Sequence, residues 1–222
     1  MPRPKGSRDR GYETRRNALI VLARRHLSMP VGRNASWRDL AAACQVSAST
    51  MNHYFANRAA LIAAIIEHAE QEGGAYLAIA ARPSGLLADS ILELATMMSR
   101  GFEQGMLALQ VIGLAEGFAD EKVSASYLGH HLEPVLAAIA ARFDAHIRRG
   151  EMKSASTRFA AMQFLSPILV AHLHQTALAG SADYPMAMAE FLEHHVDHFV
   201  RAHAPNRIFE THSSGVVLHE NR

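Results

Sequence analysis

The side chains best suited to chemistry lie between Ala35 and Arg58, where Ser36-Trp-Arg-Asp39 and Ser47-Ala-Ser-Thr-Met-Asn-His-Tyr54 flank a Gln45-Val46 turn. Such residues are short enough to reach base edges and to fix the backbone through phosphates. Asn52 carries an amide that matches adenine, and Thr50 suits a phosphate or a thymine methyl. Arg38 and Arg58 stand where they would clamp the two strands. Free backbone N–H groups at the helix starts before and after this segment add phosphate donors. Val46, Met51 and Phe55 are the inward set, leaving Ala48, Ser49, Thr50, Asn52, His53 and Tyr54 to face outward.

A second constellation invites a different chemistry. His194 and His198 lie one helical turn apart in His194-His-Val-Asp-His198, a zinc-holding spacing that resembles an inverted zincin with aspartate in place of the catalytic glutamate. His130, His131, His172 and His174 would supply further ligands. No third ligand is fixed by spacing and aspartate is shorter than glutamate, so these histidines read as core or solvated side chains. The expectation is no metal, no cofactor and no catalytic residue. No Gly-x-Ser-x-Gly elbow or phosphate-cradling glycine loop occurs either.

The elements that must position the first set are helical. Apolar residues recur at three- and four-residue spacing, and no alternating strand run stands out. The first helix is expected over about Tyr12–Leu27, with Leu19, Leu22, Ala23 and Leu27 inward, and Met29-Pro-Val-Gly ends it. Ser36 caps the second helix, with Asp39 as a short-armed capping box, and Ser47 caps the third. A fourth runs from about Asn57 to Ala80 through Gly73-Gly74. Further helices are expected over about 86–100, 103–116, 122–149, 155–178 and 185–203, with Pro167 kinking or opening the one that contains it. The fold class is all-α, with about nine helices in total. Four regions are expected: a flexible basic arm over 1–11, a helix-turn-helix unit over 12–58, a helical domain over 59–203 and a mobile tail over 204–222.

The net charge of +1 over 222 residues conceals a split. Residues 1–58 carry 11 Lys and Arg against 3 Asp and Glu, a net +8, which leaves 11 bases and 18 acids, a net −7, for residues 59–222. One end of the chain is built to approach a polyanion. The single Cys44 forms no intrachain disulfide and suits a reducing compartment. The basic N-terminus lacks the apolar core of a secretory signal, and no apolar run is long enough to span a bilayer. A cytoplasmic protein with no membrane partner is expected.

Ala35-Ser-Trp-Arg-Asp-Leu-Ala, Val46-Ser-Ala-Ser-Thr-Met-Asn-His-Tyr-Phe55 and Asn57-Arg-Ala-Ala-Leu61 together resemble the DNA-binding signature of TetR-type transcriptional regulators. The resemblance covers roughly the first quarter of the chain. By position it implies DNA contacts from Trp37, Arg38, Ala48, Ser49, Thr50, Asn52, His53, Tyr54 and Arg58, to which the capping residues Ser36 and Ser47 are added. Three positions depart from the family pattern. Gln45 stands where the turn glycine is usual, Asn52 where tyrosine is usual, and Arg58 replaces a lysine while keeping its charge. A less relaxed turn and a different base preference follow.

The resemblance further implies an effector-binding and dimerising C-terminal bundle, with the last two long helices pairing across a two-fold axis. Phe164, Ile168, Phe191, Val196 and Phe199 belong to an apolar surplus larger than one helix face needs, and are the expected dimer residues. Phe102, Met106, Leu109, Phe118, Tyr127, His131, Phe143 and His172 are the expected lining of a small-molecule cavity. The implied function is a ligand-responsive regulator, a repressor that binds a palindromic double-stranded operator as a homodimer and is released by an unidentified small molecule. A metal-dependent hydrolase and a non-specific architectural DNA binder are the alternatives.

Overall fold

The computed structural model describes residues 5–205, which are helical with no strand among them. Local signals set the first four helices. α1 spans Lys5–Leu27 and runs into a short 3-10 turn, Pro30–Gly32. Gly32 is required there, because a Cβ would stand 1.9 Å from the His26 carbonyl oxygen. α2 (Trp37–Ala43) starts from the expected capping box: the Ser36 hydroxyl accepts the Asp39 N–H at 3.3 Å, and the Asp39 carboxylate accepts the Ser36 N–H at 2.9 Å. α3 (Ala48–Tyr54) is capped by Ser47, and α4 (Arg58–Ala80) by Asn57, whose side chain accepts the Ala60 N–H at 2.9 Å. Each such cap contributes about 1 kcal/mol. Between α2 and α3, Gln45 adopts φ 57°, a left-handed conformation that glycine takes without strain.

The rest of the chain forms α5 (Leu87–Gly101), α6 (Leu107–Gly117), α7 (Glu121–Tyr127), α8 (Glu133–Arg148), α9 (Thr157–His172) and α10 (Met188–His203). A π-helical turn, Leu128–Leu132, joins α7 to α8 into the single rod expected over 122–149. Another, Phe102–Met106, joins α5 to α6 with Gly105 at φ 113°, so α6 begins at Leu107 and not at 103. α9 continues through Pro167 with its helical assignment unbroken, and α4 through Gly73-Gly74 likewise. α1 begins at Lys5, inside the expected arm. Residues 1–4 and the expected tail from 206 onward lie outside the described residues.

Two cores result. The first gathers Leu19, Ile20, Ala23 and Leu27 of α1, Leu40, Met51 and Phe55, and Leu61, Ile62, Ala64, Ile65, Ile66 and Ala69 of α4, and is completed by Leu109, Ile112, Val123 and Tyr127 from α6 and α7. Leu22, expected inward, is 38% exposed. At 100° per residue it falls on the far side of the stripe, and Ile20 fills the inward place. This first core draws on residues on both sides of the expected 58/59 boundary. Cys44 is buried in this core, with its thiol 3.7 Å from the Leu19 carbonyl oxygen and its pKa raised by burial.

The second core joins α5, α8, α9 and α10 around Phe143, whose ring centroid lies 5.0 Å from that of Phe199, with Phe164 5.1 Å from Phe199. One buried cation closes it. Arg142 donates to the Ala80 and Ile79 carbonyls ending α4 at 2.7 and 3.0 Å, and to the Ser90 carbonyl at 2.7 Å. It also meets the Glu93 carboxylate at 3.2 Å. The Ser84 hydroxyl, and then Arg142, hold that carboxyl below the usual range.

Candidate nucleic-acid interface and effector cavity

α3 presents one free face. Ser49, Asn52 and His53, spaced three and four residues apart, are exposed, while Met51 is fully buried. Asn52 is not a loose side chain: the Trp37 indole N–H donates to its Oδ1 at 2.8 Å, which leaves the amide N–H groups uncommitted. Trp37 itself is half-buried against the first core. The Ser47 hydroxyl accepts the Thr50 N–H at 3.0 Å and lies 2.9 Å from the Thr50 hydroxyl, so both residues serve the cap. Ser36 does the same for α2, and its hydroxyl is the chief reason that the Asp39 carboxyl sits below the usual range.

Ala48 and Tyr54 pack against the core. The Tyr54 ring stacks on Tyr12 of α1 at 4.8 Å, with His53 edge-on to Tyr54 at 5.0 Å. That contact anchors α1 to the reader helix. Arg38 is exposed. Arg58 is engaged, donating to the Ala35 carbonyl at 2.5 Å and to the Glu116 carboxylate at 2.7 and 3.0 Å. Glu116 belongs to the last turn of α6, so this guanidinium ties the entry of α2 to α6 through the start of α4.

The second site is a cavity of about 300 Å³ between α1, α4, α5, α6, α8 and α9. Of the expected lining, the structure brings together Phe102, Met106 and His131. Tyr127 stands behind the wall, donating its hydroxyl to Gln110. His172 lies against Phe102 with ring centroids 5.2 Å apart and bonds the Ser99 hydroxyl at 2.9 Å. The other three are elsewhere: Leu109 faces the first core, Phe143 is sealed in the second, and Phe118 is 87% exposed in the α6–α7 connection. Their apolar character was read correctly, but spacing alone could not say which face each occupies. Missed were Gln110, Tyr76, Met97 and Met98, with Arg24, Glu70 and Glu72. Gln110 carried a signal of its own, a lone amide in a helix that is otherwise apolar up to Glu116.

Burial holds His131 neutral, lowering its pKa to about 4, with the Arg24 charge adding to the effect, and pushes the Tyr127 phenol up to about 12. Gly113 makes room for Tyr127, since a Cβ there would stand 2.2 Å from the ring.

The expected dimer residues need correction. Phe164, Ile168, Val196 and Phe199 are buried within the protomer and Phe191 is half-buried against the same core. The apolar surplus of the last two helices is absorbed by α5 and α8, which the sequence could not distinguish from a partner. Phe159, Met162 and Val170 of α9 are the large apolar side chains left exposed there, at 68%, 41% and 61%.

The metal-site residues do not converge. The His198 ring bonds the His194 carbonyl at 2.7 Å, His130 pairs with Glu70 and His174 with Gln175. Among the described residues no group of three or more His, Cys, Asp or Glu is placed to hold a metal ion. No helix among them is long and apolar enough to cross a membrane.

Two capped helices around a tight turn, with a free polar face on α3, and a mostly apolar cavity lined from α1 to α9 are features that a DNA-binding regulator with a small-molecule site would need. Residues 89–205 match the family model described as AefR-like transcriptional repressor, C-terminal domain. That is more than half of the chain, which therefore belongs to the TetR-type transcriptional regulators, with an AefR-like C-terminal domain. With that membership it is a ligand-responsive, DNA-binding transcriptional regulator.

Solved structures share the fold. A putative TetR-family regulator from Mesorhizobium loti MAFF303099 is 16% identical with a TM-score of 0.66, covering 86% of this chain and 95% of its own. Salmonella enterica GusR is 20% identical with a TM-score of 0.63, covering 85% and 96%. A TetR regulator from Haloarcula marismortui ATCC 43049 is 11% identical with a TM-score of 0.69, covering 87% and 100%. No curated protein matches the sequence.

Proposed function

We propose that this chain is a cytoplasmic, homodimeric repressor without catalytic activity, which holds a palindromic operator through α3 and releases it when a small molecule fills the cavity. The observation that carries this reading is the free face of α3, with the Asn52 amide oriented by Trp37. Ser49, Asn52 and His53 would read base edges, while Ser36, Trp37, Arg38, Ser47, Ala48, Thr50 and Tyr54 position the helix and meet the backbone. Arg58 would join them only after leaving Glu116.

The route from cavity to reader runs through α6. Gln110 lines the cavity and Glu116 ends the same helix, where it holds Arg58 and, through it, the Ala35 carbonyl before α2. A ligand that displaces α6 would reset the spacing of the two reader helices in a dimer. Phe159, Met162 and Val170 offer α9 an apolar strip for a second copy.

Selection of bound sequences from random duplexes tests the reading. A palindromic motif is the expected result. Uniform binding with steep salt dependence would instead favour the architectural alternative. Light scattering on Met162→Asp with Val170→Asp tests the dimer, which should fall to monomer.

A further inference from the structure

The polar groups around the cavity are unevenly committed. At its rim Glu72 is tied to Arg24 at 2.7 Å and Glu70 to His130 at 2.8 Å, and the Tyr76 hydroxyl donates to the Met97 carbonyl at 3.1 Å. Deeper in, a relay runs from the Tyr127 hydroxyl to Gln110 Oε1, and from the Gln110 amino group to His131 Nε2. A ring nitrogen that accepts carries no proton, so in neutral His131 the hydrogen sits on Nδ1. His131 is 5% exposed and borders the cavity. Its Nδ1 has no protein partner among the described residues, and it is not among the polar atoms sealed off from space. The relay therefore ends on an unanswered N–H donor of a lining residue, beside an apolar wall of Leu94, Met98, Phe102, Val135 and Ile139, with the exposed Gln104 amide also bordering the cavity.

We propose that the effector is an uncharged, mostly apolar molecule with a carbonyl-type oxygen that accepts the Nδ1–H of His131. This rests on the cavity being the effector site of the proposed regulator. A carboxylate would meet two glutamates and an arginine already paired with one of them, while an ammonium, though drawn to those rim glutamates, would find both already paired and, deeper in, would leave water for hydrocarbon and face a donor. A pure hydrocarbon would fill the space but leave the N–H unpaired, which costs about tenfold in affinity. Gly113 and Tyr127 enter the same device: the ring that fits only over a glycine supplies the hydroxyl that sets Gln110, and Gln110 sets the tautomer.

Calorimetry on the full chain with four probes of one skeleton tests this: 2-acetylnaphthalene, 2-isopropenylnaphthalene, 2-naphthoate and 2-naphthylmethylammonium. The ketone should bind about tenfold or more tighter than the other three, and His131→Phe should abolish that preference, bringing the ketone and the hydrocarbon to equal affinity. Nitrogen NMR of histidine-labelled wild-type protein should show the proton on Nδ1 at pH 7 and a shift of that nitrogen on adding the ketone. A proton on Nε2, a charged probe binding best, a ketone preference that survives His131→Phe, or no binding by any probe would each overturn the proposal. Duplex selection on the same preparation separates the two claims. Specific DNA binding unaffected by any probe sinks the effector chemistry alone, whereas loss of specific DNA binding in the untreated protein sinks the regulator reading itself.

Discussion

The Trp37 indole N–H donates to Asn52 Oδ1 at 2.8 Å, so a residue of α2 fixes the orientation of the amide through which α3 would read a base. Trp37→Phe keeps the ring against the core and removes only the donor. Affinity for the selected operator should fall by about 1 kcal/mol, with relaxed preference at one base position. Competition binding against single-base operator variants measures this. Unchanged discrimination at every position would mean that the hydrogen bond serves folding alone.

Arg58 bears on a separate outcome. Its guanidinium is held by Glu116 and the Ala35 carbonyl. Glu116→Gln should weaken that hold and let the cation reach a phosphate, steepening the salt dependence of DNA binding by about one in log–log slope. A slope equal to that of the wild type would show that Arg58 takes no part in binding.

Gln45 sits at φ 57°. Gln45→Gly should raise stability by about 1 kcal/mol, read as a higher urea midpoint at unchanged m-value. A lower midpoint would mean that the Gln45 side chain contributes more than its backbone strain costs.

Gly113→Ala places a methyl within 2.2 Å of the Tyr127 ring. Overpacking of this kind costs about 1–3 kcal/mol. Thermal unfolding should show the loss, and the Tyr127→Leu background should recover much of it, since the smaller side chain leaves room.

His131 makes stability depend on pH. Its folded pKa is lowered to about 4 from an ordinary 6.5. Between those values the unfolded chain binds a proton that the folded chain does not, so stability falls as pH drops through that window, by at most about 1.4 kcal/mol per unit. Above it the group adds no slope. His131→Gln should flatten the wild-type curve of urea midpoint against pH between 6.5 and 4. The burial-lowered His172 and His195 contribute in the same sense and persist in both proteins.

Much of this molecule was legible because its signals are local. Ser36 with Asp39 and Ser47 announce helix starts through hydrogen bonds that span three residues, and each cap forms, as does one at Asn57, where the sequence placed only a helix start. The TetR-type motif lies on the same stretch, so family and fold were within reach together. What failed depends on distant contacts. Phe164 and Phe199 share an apolar character that suits either a partner subunit or Phe143, and only packing decides. The break before α6 follows from the φ of Gly105, and glycine permits such a value without requiring it. The cavity wall drew on α1 through Arg24 and α4 through Tyr76, helices that no spacing rule connects to Phe102.

The burial of Cys44 has one more consequence. The chain's only thiol lies in the core that supports the reader helix, with its ionisation suppressed, so thiol reagents reach it only when that core opens. Its labelling rate is thus a clock for local opening of the DNA-binding end, already present in the natural sequence and silent about motions elsewhere.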